Sequence, residues 1–363
     1  MNEPMSVDLR EFGWDAQREE EFVPHAGEGL IPGRVVLEHT HIYRVMTAGG
    51  EVLASVSGRF RHRAERRSVY PSVGDWVAVA LPRHERDARI HAVLARRSAF
   101  SRRTAGDRTE EQVVAANIDT VFVVAGLDGE FNPRRIERYL VVAWDSGAAP
   151  VVLLNKADLS DDPAARAEEV RAVAPGVAVH AISTREAGTL SVLGEYLGSG
   201  RTAALLGSSG VGKSTLANRL LGQELLPTRE VRVADSKGRH ASAARQLVQI
   251  PAGGVLIDTP GMREIQLWDT GGAIATAFAD IDALADGCRF RDCRHRQEPG
   301  CAVRAAVDAG DLPAARLESY RKLQDEEAFQ ARRLDARAAL EEKRRVRSIH
   351  KARNKYLKNR DDA

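Results

Sequence analysis

Apolar positions change their period along the chain. From Gly33 to about Arg97 the pattern is that of strands. Val35 to Thr47 is a β-rich run, Gly49-Gly50 marks a turn, and Val52, Ala54 and Val56 fall on every second position. Val73-Gly-Asp-Trp-Val-Ala-Val79 adds another strand, with a turn at its start. Short strands without a long helix predict a small β-barrel. From Ile118 to Gly261, apolar runs of strand length alternate with helical stretches, as in a parallel α/β sheet. Val151 to Leu154, Thr202 to Leu206 and Val255 to Ile257 are three of these runs. Lys213 to Leu221 reads as a helix, with Leu216 and Leu220 on one face and Gly222 as its stop signal. From Ala273 onward the pattern is helical, and Asp311 with Pro313 predicts a helix start in the tail. Residues 1–30 are expected to be a disordered leader. The expected organisation is a leader, a barrel over 31–105, an α/β domain over 106–272 and a helical domain over 273–363.

The loops that follow the α/β strands carry the chemistry. Gly207-Ser208-Ser209-Gly210-Val211-Gly212-Lys213-Ser214 fits GxxxxGK[ST] between a predicted strand and a predicted helix, the setting of a phosphate-binding loop. Its glycines let backbone N–H groups approach phosphate oxygens at a helix N-terminus. Lys213 is expected to reach the β- and γ-phosphates, Ser214 to supply a hydroxyl to magnesium, and Thr215 to sit beside it. Asn155-Lys156-Ala157-Asp158 ends another apolar run. The Asp158 carboxylate can accept from guanine N1–H and its 2-amino group, Lys156 can pack along the base, and Asn155 can brace a neighbouring loop. Ala181-Ile182-Ser183 is the expected companion loop, with a backbone N–H near the guanine O6. Asp258-Thr259-Pro260-Gly261 ends a third run. Asp258 is placed to hold magnesium through water, and the Gly261 N–H to sense the γ-phosphate. The base motif precedes the phosphate loop, an order that implies a circularly permuted P-loop GTPase domain. Met262 follows Gly261, and a thioether cannot orient an attacking water, so slow intrinsic turnover is expected.

Charge and cysteine usage sharpen this picture. The net charge of +2 conceals segregation: Glu19-Glu20-Glu21 lie in the leader, while Arg and Lys gather later. Arg59, Arg61, Arg63, Arg66 and Arg67 surround Phe60 and precede Tyr70, a composition suited to RNA phosphates and unpaired bases. Residues 343–360 hold nine Lys or Arg and no acid, and Lys343, Arg347, Lys351 and Lys355 recur at helical spacing. All three cysteines fall in Cys288-x4-Cys293-x-His295-x5-Cys301. An odd number argues against a disulfide framework, and three thiolates with one imidazole make a closed tetrahedral zinc set, structural rather than catalytic. No apolar run is long enough to span a membrane, and the start lacks the features of a secretory signal. A cytoplasmic monomer is expected.

With these motifs in place, the sequence resembles the circularly permuted ribosome small subunit-dependent GTPase A family over nearly the whole chain beyond about residue 30. Besides the nucleotide motifs, the resemblance rests on Ala116-Asn-Ile-Asp119, Phe131-Asn-Pro-Arg-Arg-Ile-Glu137, Gly253-Gly254, Arg263-Glu264 and the cysteine cluster. It implies that the barrel is an OB-fold and that the C-terminal domain binds zinc. It also implies GTP hydrolysis on the small ribosomal subunit, with its rRNA as partner, late in maturation. One departure stands out. The family's first switch carries threonines after Gly-Arg-His, whereas Gly238-Arg239-His240 is followed by Ala241-Ser242-Ala243. Ser242 alone can offer a hydroxyl there, and His240 is a candidate for positioning water. The residues by themselves leave open a GTP-dependent RNA-binding scaffold with little hydrolysis, or a GTPase serving another RNA or translation partner.

Overall fold

The computed structural model describes residues 6–39, 42–81, 87–103, 111–129, 131–223, 245–258, 272–329 and 331–332. The chain divides into two compact units, Met1–Gln266 and Leu267–Ala363.

The leader departs from expectation. Instead of disorder it forms a short 3-10 turn, Leu9–Phe12, and helix α1, Ala16–Ala26. Asp15 caps α1 by accepting from the Arg18 N–H at 2.9 Å. Glu19 and Glu20 of the acidic run that made this segment look solvated are exposed, Glu21 pairs with buried Arg18, and Phe22 is buried. Trp14 packs edge-on against Phe22 and against Trp76. One buried aromatic per helical face is too sparse a pattern to read as a period.

The barrel consists of β1 (Ile31–His39), β2 (Ile42–Thr47), β3 (Gly50–Val56), β4 (Trp76–Ala80) and β5 (Ala88–Val93). They pair in the order β1-β2-β3-β5-β4, and β4 returns to β1. Val45, Ala54, Val56, Val77, Val79 and Ile90 fill the interior, the inward face of the alternation seen in the sequence. Helix α2, Gly58–Arg63, follows β3 and carries Arg59, Arg61 and Arg63. Beyond α2, Arg96 holds the Ser68 and Tyr70 carbonyls while pairing with buried Asp75 at 2.7 and 2.8 Å. A hairpin of β6 (Ala99–Arg103) and β7 (Glu111–Ala116) leads out of the barrel.

The α/β part contains β8 (Thr120–Gly126), α3 (Pro133–Asp145), β9 (Ala149–Asn155), α4 (Pro163–Val173), β10 (Ala178–Ala181), β11 (Thr202–Leu206), α5 (Lys213–Leu221), β12 (Arg245–Gln249) and β13 (Val255–Asp258). The strand order is β10-β9-β8-β11-β13-β12, parallel except for β12. The barrel and this sheet are not separated, although the sequence reads as two domains. β12 pairs antiparallel with β1 through Leu37↔Gln246 and Glu38↔Arg245, so one sheet runs through both. β1 can serve both because its first half pairs with β4 and its second half with β12.

The second unit is helical, as expected: α6 (Ala273–Ala277), α7 (Ala279–Ala285), α8 (Ala302–Ala309) and a helix over 314–329. Phe278, Ile281, Val303, Tyr320 and Leu323 are buried in it. Arg316 crosses this core, bonding Asp280 at 2.6 Å and stacking over Phe278. The basic residues 343–360 lie outside the described residues.

Candidate nucleotide site and metal cluster

Five parallel strands send their following loops to one edge of the sheet, where open α/β sheets bind ligands. The phosphate loop follows β11, and its glycines have positive φ: Gly207 +149°, Gly210 +86° and Gly212 +98°. At two of them packing also forbids a side chain. A Cβ on Gly207 would lie 2.2 Å from the Val124 carbonyl oxygen, and one on Gly212 would lie 2.2 Å from Asn155 Nδ2. Val211 is buried beneath the loop, whereas Ser209 and Gly210 are exposed.

Lys213 opens α5, with Ser214 and Thr215 after it in the first turn. Lys213 Nζ donates to the Gly207 carbonyl at 2.6 Å and the Ser208 carbonyl at 2.5 Å, which holds the ammonium on the loop. Ser208 Oγ accepts from Arg135 at 3.2 Å and lies 3.2 Å from the Tyr139 hydroxyl, so α3 anchors the loop from outside. Asp258 ends β13, opposite Gln246 of β12. Gly261, Met262, His240 and Ser242 lie outside the described residues.

On the base side, Asn155 is fully buried. Its Nδ2 donates to the Val211 carbonyl at 2.8 Å, and its Oδ1 accepts from the Thr184 N–H at 3.1 Å. A single amide therefore joins the phosphate loop to the companion loop. Lys156 takes a left-handed φ of 63° and pairs with Asp128 at 2.5 Å. Asp158 accepts from Ser183 Oγ at 2.7 Å, with Arg185 at 3.6 Å from its other oxygen. The Ser183 N–H donates to Thr189 Oγ1 at 2.9 Å. Ser183 thus orients Asp158 through its hydroxyl, while its own N–H is taken up within the companion loop. Asp128, Arg135, Tyr139 and Thr184 complete the constellation and were not anticipated. Arg135 lies within the Phe131–Glu137 stretch already singled out, but nothing in its spacing marks a phosphate-loop contact.

In the second unit, Cys288, Cys293, His295 and Cys301 bring one donor atom each within 4.8 Å of all the others. Cys288 Sγ lies 3.6 Å from His295 Nδ1 and 3.9 Å from Cys301 Sγ, and Cys301 Sγ lies 3.5 Å from the same nitrogen. A tetrahedron with metal–sulfur bonds of about 2.3 Å has sulfur–sulfur edges of about 3.8 Å, so the donor set fits zinc. The loop is shaped for this. His295 adopts a positive φ of 57°. Cys301 caps α8 by accepting from the Arg304 N–H at 3.4 Å. Glu298 accepts from the N–H groups of Arg294, Arg296 and Gln297, and backbone N–H bonds, its own first, hold its carboxyl down at about 2.

Comparison with known proteins agrees with this geometry. A model of the RsgA GTPase family matches residues 93–268. The chain is 48% identical to the small ribosomal subunit biogenesis GTPase RsgA of Opitutus terrae, over 94% of this chain and 96% of that one. It is 46% identical to the protein of the same name from Streptomyces coelicolor, over 92% and 90% of the two chains. Among solved structures, that of YjeQ from Thermotoga maritima superposes with a TM-score of 0.61 at 27% identity, covering 81% of this chain and 97% of that one. The structure of YloQ, a circularly permuted GTPase, superposes with a TM-score of 0.60 at 22% identity, over 82% and 94%, a likeness of fold. The permuted strand order, the phosphate loop braced by Asn155 and the extended similarity to these relatives place this chain in the RsgA GTPase family.

Proposed function

We propose that this protein hydrolyses GTP to GDP and phosphate while bound to the small ribosomal subunit, in the late maturation of that subunit, and that the subunit accelerates the reaction. The observation that carries the nucleotide assignment is the Asn155 bridge from Val211 to Thr184, which joins the phosphate side of the pocket to the base side. Asp158, oriented by Ser183, reads the guanine edge. Lys213 lies at the loop where the β- and γ-phosphates bind and counters their growing charge during transfer. The backbone N–H groups of 207–212 cradle the phosphate oxygens. Ser214 and Asp258 would hold magnesium, which neutralises phosphate charge when bound. Cys288, Cys293, His295 and Cys301 would hold one structural zinc, with no ligand position left for substrate. The named function of the relatives supports the ribosomal partner, and the exposed arginines of α2 suit contact with its rRNA.

Turnover measured with and without small ribosomal subunits tests this reading. Slow hydrolysis by free protein, a large acceleration by subunits and loss of both in Lys213→Ala are the expected results. Fast turnover that ignores subunits would remove the ribosomal assignment and leave a GTPase with another partner.

A further inference from the structure

A cavity of about 350 Å3 opens where β8 and β11 begin, lined there by Asp119 and Thr202. The nucleotide loops leave the opposite ends of these parallel strands, so the cavity is separate from the GTP site. Several parts of the first unit enclose it, residues 199–202 at the start of β11 among them. The leader supplies Trp14 and Arg18, the barrel supplies Arg34 and Trp76, and Asn117 and Asp119 come from the Ala116–Asp119 motif that enters β8. The GTPase chemistry gives that motif no role.

Two buried guanidiniums form the inner wall, for Arg18 and Arg34 are each 1% exposed. Arg34 donates to the Phe12 carbonyl, to the Gly74 and Asn117 carbonyls at 3.3 and 3.1 Å, and to Thr202 Oγ1 at 2.8 Å. All of these acceptors are neutral. Burial without a bonded carboxylate pulls its pKa down to about 10. Arg18 donates to Glu21, to the Ala95 carbonyl and to Asn117 Oδ1, while its buried Nε–H has no acceptor.

Arg10, Arg97 and Arg201 stand around the mouth, and the Arg10 guanidinium is bonded to Asp8 at 2.7, 2.9 and 3.0 Å. The acids of the mouth are already engaged. Asp15 takes two bonds from Arg97, at 2.6 and 2.8 Å. Asp119 accepts from the Thr202 N–H at 2.7 Å and lies 4.0 Å from Arg201. A buried cation with only neutral partners, beside a buried donor lacking an acceptor, favours an anion. A phosphate group offers several acceptor oxygens and the strongest match to guanidinium donors. The volume exceeds what bare phosphate needs and falls within the range of small-molecule sites.

We propose that this cavity binds a small phosphorylated molecule. Its phosphate faces Arg18 and Arg34, and its remainder lies toward Arg10 and Arg201. The ligand does not depend on the ribosomal assignment, and its test uses neither hydrolysis nor ribosomes.

The full chain is first saturated with magnesium and a non-hydrolysable GTP analogue, so that the phosphate loop is filled. It is then titrated with inorganic phosphate, with ribose 5-phosphate and with a short single-stranded RNA, following the fluorescence of the tryptophans, two of which line the cavity. Saturable changes with the first two, with ribose 5-phosphate the tighter, are expected. The double variant R10Q/R201Q alters exposed side chains and leaves the buried wall intact. It should weaken ribose 5-phosphate by about tenfold, the loss of charge-assisted contacts to the sugar, with inorganic phosphate binding and thermal unfolding unchanged. Four results would overturn the proposal: no saturable response, a response reproduced by sodium chloride at equal ionic strength, equal affinity for ribose 5-phosphate in R10Q/R201Q, or binding of RNA alone. Binding of inorganic phosphate without ribose 5-phosphate would overturn it too, leaving a bare oxyanion site.

Discussion

At the base side, Asp158 and Asn155 do different work although they sit in one tetrapeptide. In the proposed function Asp158 recognises the base, whereas Asn155 holds loops together. Asp158→Asn should therefore weaken GTP binding and favour xanthosine nucleotides, whose 2-oxo group can meet an amide donor. Competition between GTP and xanthosine triphosphate for the variant measures this, and an unchanged preference for guanine would remove Asp158 from base recognition. Asn155→Ala leaves the Val211 carbonyl and the Thr184 N–H without their partner in a buried place. It should lower stability by about 1–3 kcal/mol, read by denaturant unfolding, as well as weakening the nucleotide. The role of Asn155 was legible because the motif names its residue type. The Ser183 hydroxyl contact was not, since a serine after a strand can use either its backbone or its side chain. Arg135 and Tyr139 were equally hidden. They reach Ser208 from a helix far away in sequence, and their helical spacing reads only as one face of α3.

Among the elements, α1 shows what sequence periodicity misses. It is fixed by polar contacts more than by an apolar stripe: Asp15 caps it and also grips Arg97. That Arg97 bond, ahead of the other causes, draws the Asp15 pKa down from its usual 3.8 to about 2. Because the folded-state value is lower, the contribution is complete above about 3.8 and is lost as pH falls toward 2. Acid titration should release α1 in that window, reported by Trp14 fluorescence, and Asp15→Asn should abolish that step. An identical acid transition in the variant would assign the step to other carboxylates. In the second unit the cysteine spacing alone announced the cluster, and the donor geometry agrees. Cys293→Ser or a strong chelator should lower the melting temperature of this unit while GTP binding persists. Unchanged melting after verified removal of zinc would deny it a structural part.

For the molecule as a whole, barrel and α/β sheet were each legible, but their fusion was not. The joining pairs, Leu37↔Gln246 and Glu38↔Arg245, unite segments remote in sequence, and a strand pattern does not name its neighbour. Arg34 adds a side-chain tie from the barrel to Thr202, at the start of the strand that leads to the phosphate loop. A ligand that touches only the GTPase loops should then stabilise the barrel as well. Hydrogen exchange should slow in β1 and β4 when magnesium and a GTP analogue are added. Protection confined to the α/β strands would mean that the two parts open independently.

The doubly paired β1 also bears on how the protein is made. Synthesis runs from the N-terminus, so the barrel strands leave the ribosome long before β12 exists. Until then the second half of β1 presents unsatisfied backbone groups along one edge, the kind of edge that recruits strands from other chains. Glu38 lies in that stretch, and a carboxylate there discourages a wrong partner until Arg245 arrives to meet it at 3.5 Å. The strand that covers this edge of β1 is thus one that the chain delivers only after the phosphate loop has been translated.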